Sequence, residues 1–430
     1  MSAGASPGRA VAFRSSARID TARLANAALW IAVFLGGFVI REPAPYELYM
    51  IALVSVWALF GLTLKPAFGP MIVCYLIYMA GGLVAVSVAS DLGAAAMYMA
   101  VSGFLVVTAI FYAAVIAETP QRLTVIRSAY VASATIVALI GILGYFGAIP
   151  GASLFTLYDR AKGTFQDPNV FGPFLVLPTA FLFHDILNRP LSKNFLSIAL
   201  ALLLCFGIFL SFSRAAWGLL AFTGLGLYAI AFINGRSPAR RARLVGLALL
   251  GVLLLALMFA AALSSETIAA MFEERAKLVQ TYDGSRLGRF ARHAIGFQMV
   301  MERPLGLGPL EFRNYFPEDE HNSYLKAFTS YGWLGGVAYF VLVCWTLKRL
   351  FPLVFQPRPW AAFSQCVFIV LFGHAIIAVV IDTDHWRHMY LLIGLAWGLI
   401  AAEQRERTRL NRGKFVHRVT SRLAKPARSG

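Results

Sequence analysis

Two groups of ionisable and hydrogen-bonding side chains stand close together in a chain that is otherwise oily. Arg286, Arg289, Arg292 and His293 come first, and Glu320-His321-Asn322-Ser323-Tyr324 follow in the same stretch, residues 285–336. A histidine beside a carboxylate suits general-base chemistry, because the carboxylate orients the imidazole and tunes its proton affinity. The competing reading makes His321 a helix-start residue stabilised by Asp319 and Glu320. Arginine is the side chain best shaped to clamp phosphate or carboxylate. At about 100° per residue, Arg286, Arg289 and His293 share one helical face. Such a face needs water, a lipid headgroup or another anionic partner. Ionisable side chains gathered next to a bilayer usually mark a functional site.

Other candidates are scattered. Arg214 in SFSRAAWG lies between two apolar runs. It either snorkels to an interface or is held in a polar pocket by Ser211 and Ser213. Arg160 and Lys162 precede GTFQDPN (163–169), where Asp167, Pro168 and Asn169 suit a turn and a helix cap; the two cations would add to an anion site. The run Asp382-Thr383-Asp384-His385-Trp386-Arg387-His388 reads as a short connecting loop rather than a metal site, since it lacks partner ligands. His374 is either a packed polar residue or a cavity wall. Cys74, Cys205, Cys344 and Cys366 form no CxxC pair, so no disulfide framework or zinc site is expected, and they read as small buried residues.

The elements that must position these groups are membrane helices. Of the 430 residues, 59% are hydrophobic and 14% charged, against about 25% charged in a soluble domain. Apolar runs near the roughly 20 residues needed to cross a bilayer recur throughout. Twelve spans are expected, at about 24–40, 47–64, 70–90, 93–117, 128–148, 169–188, 194–212, 214–233, 244–263, 325–347, 360–381 and 389–402. Lys and Arg concentrate on the side of the termini: Arg9, Arg14, Arg18 and Arg23, the loop of Arg236, Arg240, Arg241 and Arg243, and the tail from Arg405. That excess predicts cytoplasmic termini. Residues 1–23 then form a basic N-terminus without a cleaved leader, 24–402 the transmembrane domain, and 403–430 a basic cytoplasmic tail. The loop 264–324 falls outside. It is expected to hold helices over 265–280 (Ile268, Met271, Phe272 and Val279 on one side) and 285–302 (Leu287, Phe290, Ala291 and Ala294 opposite the cations), ended by Pro304. The pattern predicts an all-α polytopic bundle with a helical cap on the outer membrane surface, between spans 9 and 10.

Composition also excludes. The net charge of +17 sits in loops and the tail, where it orients the protein and meets anionic lipid, so nucleic acid is not an expected partner. A transporter would carry charged or broken helices at the midplane, and only His374 fits. A scaffold would not need outward arginines grouped with His321.

In their order and spacing, SRAAW (213–217), PLGLGP (304–309), HNSYL (321–325) and GWLGG (332–336), preceded by GTFQDPN, resemble the O-antigen ligase and polysaccharide polymerase family of bacterial inner-membrane proteins. The resemblance covers about 158–345. It implies a GT-C-like, metal-independent glycosyltransferase with no cofactor and a periplasmic active site. The donor would be a glycan on undecaprenyl pyrophosphate, and the acceptor lipid A–core or a growing polysaccharide. His321 would be the general base. Arg214, with Arg286 or Arg289, would bind the pyrophosphate, with Asn322, Tyr324, Arg160 and Lys162 as further substrate-binding positions. Ligase is the leading reading; a polymerase, a protein O-oligosaccharyltransferase and a lipid or polysaccharide transporter are the alternatives.

Overall fold

A computed structural model describes residues 8–277 and 288–423, with side chains for 21–277 and 288–412. In chain order its helices are α1 (Gly8–Leu35), α2 (Pro45–Leu59), α3 (Gly69–Ala85), α4 (Leu92–Glu118), α5 (Arg122–Tyr145), α6 (Pro168–Phe174), α7 (Val176–Asn188) and α8 (Phe195–Leu210). They continue as α9 (Arg214–Ile233), α10 (Pro238–Leu263), α11 (Glu266–Ala276), α12 (Arg289–Met301), α13 (Ser323–Leu350), α14 (Ala361–Ile377) and α15 (Arg387–Leu423). One exception to the all-α expectation is a short antiparallel ladder, Thr156–Leu157 against Arg160–Ala161. Tyr158 and Asp159 close it with φ of 50° and 53°, the doubly left-handed turn that matches strand twist.

The expected apolar runs overlap helices, several of which end before the run does, as at Leu35, Leu59 and Ile377. Among the described residues, seven helical segments are long and apolar enough to cross a membrane: Pro66–Val88, Leu92–Glu118, Arg122–Tyr145, Pro168–Asn188, Arg214–Ile233, Pro238–Leu263 and Ser323–Phe355. Four shorter apolar helices are Thr21–Leu35, Pro45–Leu59, Phe195–Leu210 and Ala361–Ile377. The last apolar run, 389–402, opens α15. Helix starts follow their caps: Asp91 accepts from the Ala94 amide at 2.9 Å, Asp167 from Asn169 at 2.7 Å, and Ser237 from Arg240 at 3.3 Å, each satisfying an otherwise orphaned donor.

The chain divides into two compact units. The first comprises Met1–Phe60 and Gln121–Trp217. Within it α5 packs on α1, α7 and α8, and the loop after α5 is tied down where Val39 N–H donates to the Thr164 carbonyl at 2.9 Å.

The second unit comprises Gly61–Pro120 and Gly218–Gly430. Its axis is the pairing of α3 with α13 and of α4 with α15. Both pairs meet backbone to backbone. A Cβ on Gly81 would lie 2.5 Å from the Tyr331 carbonyl, and one on Gly394 2.7 Å from that of Ala109. Small residues permit such approach between membrane helices. Helix α13 is broken at Gly332 (φ 65°, ψ −171°), a conformation an L side chain strains to adopt. The break frees carbonyl and amide groups, and PLGLGP takes them up: Leu307 and Gly308 N–H donate to Thr329 O at 2.8 and 3.1 Å, and Trp333 N–H donates to Pro304 O at 2.9 Å. Two of the motifs singled out by sequence are thus halves of one joint.

Candidate active site

His321 enters α13 in the left-handed region, with φ of 47°, which is uncommon for a residue with a side chain. Asn322 caps the helix, its Oδ1 accepting from the Tyr324 and Leu325 amides at 3.0 Å each. What holds the turn is the loop after α14. Asp382 accepts the backbone N–H of His321 at 3.2 Å and of Asn322 at 3.0 Å. Ser323 locks the same loop, donating to Ile381 O at 2.9 Å and accepting from the Thr383 amide at 2.7 Å.

The His321 side chain is 37% exposed. Its Nδ1 lies 3.7 Å from Asp382 Oδ2 and its Nε2 4.0 Å from Glu318 Oε2. A ring flanked by two carboxylates and open to approach has the surroundings of a general base. Beneath it, Lys326 Nζ stands 3.7 Å from both Asp382 and Asp384, and Tyr98 donates to Asp384 at 2.5 Å. Both carboxylates of the loop therefore have partners, as groups removed from water must. Glu320 is buried; it accepts from Thr329 Oγ1 at 2.6 Å, and burial pushes its carboxyl up to about 7.

Helix α12 reverses one expectation. Arg289 and His293 do share a face, but this face turns toward protein. Arg292, Gly296 and Val300 are buried, whereas Phe290 and Ile295 are exposed. Arg292 donates to Glu318 at 2.6 Å, His293 Nε2 contacts Glu320 O at 2.8 Å, and Arg289 reaches Val380 O at 3.5 Å. Burial lowers the proton affinity of His293. The physical reason for the reversal is that carboxylate and carbonyl partners lie on α13's side, so the face with the cations docks and Phe290 and Ile295 are left exposed. Arg286, Leu287 and Val279 lie outside the described residues. On α11, Ile268 is buried, and Phe272 meets Phe259 edge-on.

The remaining candidates divide between the units. Arg160 belongs to the first and is 6% exposed; it donates to Ser211 O and to Asn169 Oδ1 at 2.8 Å each. Its work is to tie the hairpin to the turn before α9. In that turn Ser211 and Ser213 are buried, and Phe212 has φ of 46°. Arg214 is the first residue of α9 and half-buried. A cation there opposes the helix dipole. Lys162 is half-buried in the loop that follows the hairpin. Tyr324, predicted to touch substrate, donates its hydroxyl to Ala375 O at 2.8 Å. His374 is fully buried, its Nδ1 2.8 Å from Val370 O, so it is a packed residue. Cys344, expected to be buried, is exposed on α13. Among the described residues no group of three or more His, Cys, Asp or Glu could hold a metal ion.

Asp382, Asp384, Lys326 and Tyr98 escaped the sequence reading as members of the site. The available signal was two carboxylates at the end of one apolar run and a lysine one turn into another, since charges beside a membrane seek partners.

Residues 199–340 match the family model described as O-Antigen ligase. The matched stretch carries SRAAW, PLGLGP, HNSYL and GWLGG; GTFQDPN and the Asp382 loop lie outside it. No curated protein matches the chain. With its apolar helices, the protein is a multi-pass membrane protein, and over residues 199–340 it carries the domain of the O-antigen ligase family that its motifs resemble.

Proposed function

We propose that the protein is a GT-C-type glycosyltransferase of the bacterial inner membrane. It moves a glycan from undecaprenyl pyrophosphate to an acceptor hydroxyl on the periplasmic face. With lipid A–core as acceptor it is an O-antigen ligase. The observation that carries this reading is His321, set in a left-handed turn by Asp382 with its ring open between two carboxylates.

The acceptor hydroxyl gives its proton to His321 as its oxygen attacks the anomeric carbon of the donor. The bond from that carbon to the pyrophosphate oxygen breaks, and undecaprenyl pyrophosphate leaves with the electron pair. Arginine balances the charge that develops on it, with Arg214, Arg286 and Arg289 as the candidates, so no metal ion is required. Lys162 is a further candidate cation for an anionic donor. Asn322, Tyr324 and Arg160 serve by positioning the loops around them: Asn322 Oδ1 and the Tyr324 hydroxyl bond backbone, and Arg160 bonds Ser211 O and Asn169 Oδ1. The Lys and Arg excess on the side of the termini supports a cytoplasmic location for both and a periplasmic one for the cap over 264–324.

Deletion of the gene, followed by gel analysis of lipopolysaccharide, tests the reading. Loss of long chains from lipid A, with polymer accumulating on the lipid carrier, is the expected result. Single repeat units left on the carrier would identify a polymerase using the same donor, and unchanged glycans would sink both. Transfer in the presence of chelator checks the metal-free step.

A further inference from the structure

The first unit carries a groove of about 720 Å³ between α5, α7 and α8. Its floor is one face of α5, where Thr124, Ser128, Val131, Thr135 and Ile136 recur at helical spacing. At 1.5 Å per residue that face runs about 18 Å. This is close to the depth of one leaflet, half of a hydrocarbon core about 30 Å thick. One end of the groove is charged. Arg127 pairs with Asp185, and Arg189 stands 3.2 Å from the same buried carboxylate. Two guanidiniums around one carboxylate leave positive charge in excess at the mouth. Away from it the walls are Leu182 and Leu200.

We infer that this groove binds an anionic diacyl phospholipid of the surrounding bilayer, with one acyl chain along α5 and the phosphate beside Arg127 and Arg189. Charge selects the headgroup, since a zwitterionic lipid brings its own cation to a mouth that is already positive. Length selects the chain: one leaflet's depth accommodates an ordinary acyl chain, and a polyprenyl chain is far longer. The inference does not depend on the transfer reaction.

Native mass spectrometry of the full-length protein tests it, with phosphatidylglycerol and phosphatidylcholine of identical chains supplied in equal amounts. One phosphatidylglycerol should be retained in preference to phosphatidylcholine. Ala132→Trp, which fills the groove without touching its charges, should abolish that retention; Leu200→Trp does the same from the other wall should the first variant misfold. Arg189→Gln should weaken it about fivefold, the worth of one cation beside an anionic headgroup. Equal retention of the two lipids, or retention unchanged in both tryptophan variants, overturns the site. Displacement of phosphatidylglycerol by a polyprenyl phosphate at equal concentration overturns the choice of occupant.

Discussion

One oxygen of Asp382 accepts the backbone N–H of His321 at 3.2 Å and stands 3.7 Å from that residue's ring Nδ1. A single carboxylate thus fixes the backbone that presents the imidazole and supplies the charge beside it. Asp382→Ala should lower transfer by at least tenfold, since it leaves two amides without their acceptor and Lys326 with Asp384 alone. Asp382→Asn keeps one acceptor oxygen and should recover part of the rate. The measurement is glycan transfer in isolated membranes, normalised to inserted protein; equal rates for Ala and wild type would detach Asp382 from the reaction.

The left-handed turn at His321 separates chemistry from folding. Asn tolerates this conformation, so His321→Asn should keep the thermal midpoint of the detergent-solubilised protein and lose transfer by about 10²–10⁴-fold, the usual worth of a general base. His321→Ala should lose as much transfer and about 1 kcal/mol of stability besides. An Asn variant active at the wild-type rate would remove His321 from the chemistry.

Arg289 and Arg292 lie three residues apart and should respond differently. Arg292 is 2% exposed and bonded to Glu318, so Arg292→Ala should lower stability before it touches rate. Arg289→Ala should lower transfer more than tenfold with little change in the thermal midpoint. For Arg214, a lysine keeps the charge and loses the bidentate fork; Arg214→Lys should still cut transfer about tenfold. Full activity in that variant would reduce Arg214 to an interfacial anchor.

Glu320 predicts a pH dependence of stability. Burial raises its carboxyl from the ordinary 4.5 to about 7. Between those values the native state holds a proton that the unfolded state has released, so stability falls as pH rises through the window. The thermal midpoint should drop by a few degrees from pH 5 to pH 8. Glu320→Gln has no proton to lose there and should flatten the slope. A slope of equal size in the Gln variant assigns it to other groups.

The sequence by itself determined the membrane class, the helices and the motifs, because apolar run length, prolines, caps and charge bias are local or additive properties. His321, Arg214 and Arg289 stood out as candidates for the same reason: charged groups in an oily chain are conspicuous. Pairing was not legible. Nothing local in PLGLGP says that its amides enter the break at Gly332, and nothing in the 382–388 loop says that Asp382 grips a turn some sixty residues earlier. Direction was not legible either. The 3.6-residue period of α12 placed Arg289 and His293 together but could not say which face docks, since that depends on where Glu318, Glu320 and Val380 present their oxygens. Only the tertiary structure decided this, because a buried charge goes where its partner is and the partner comes from another part of the chain.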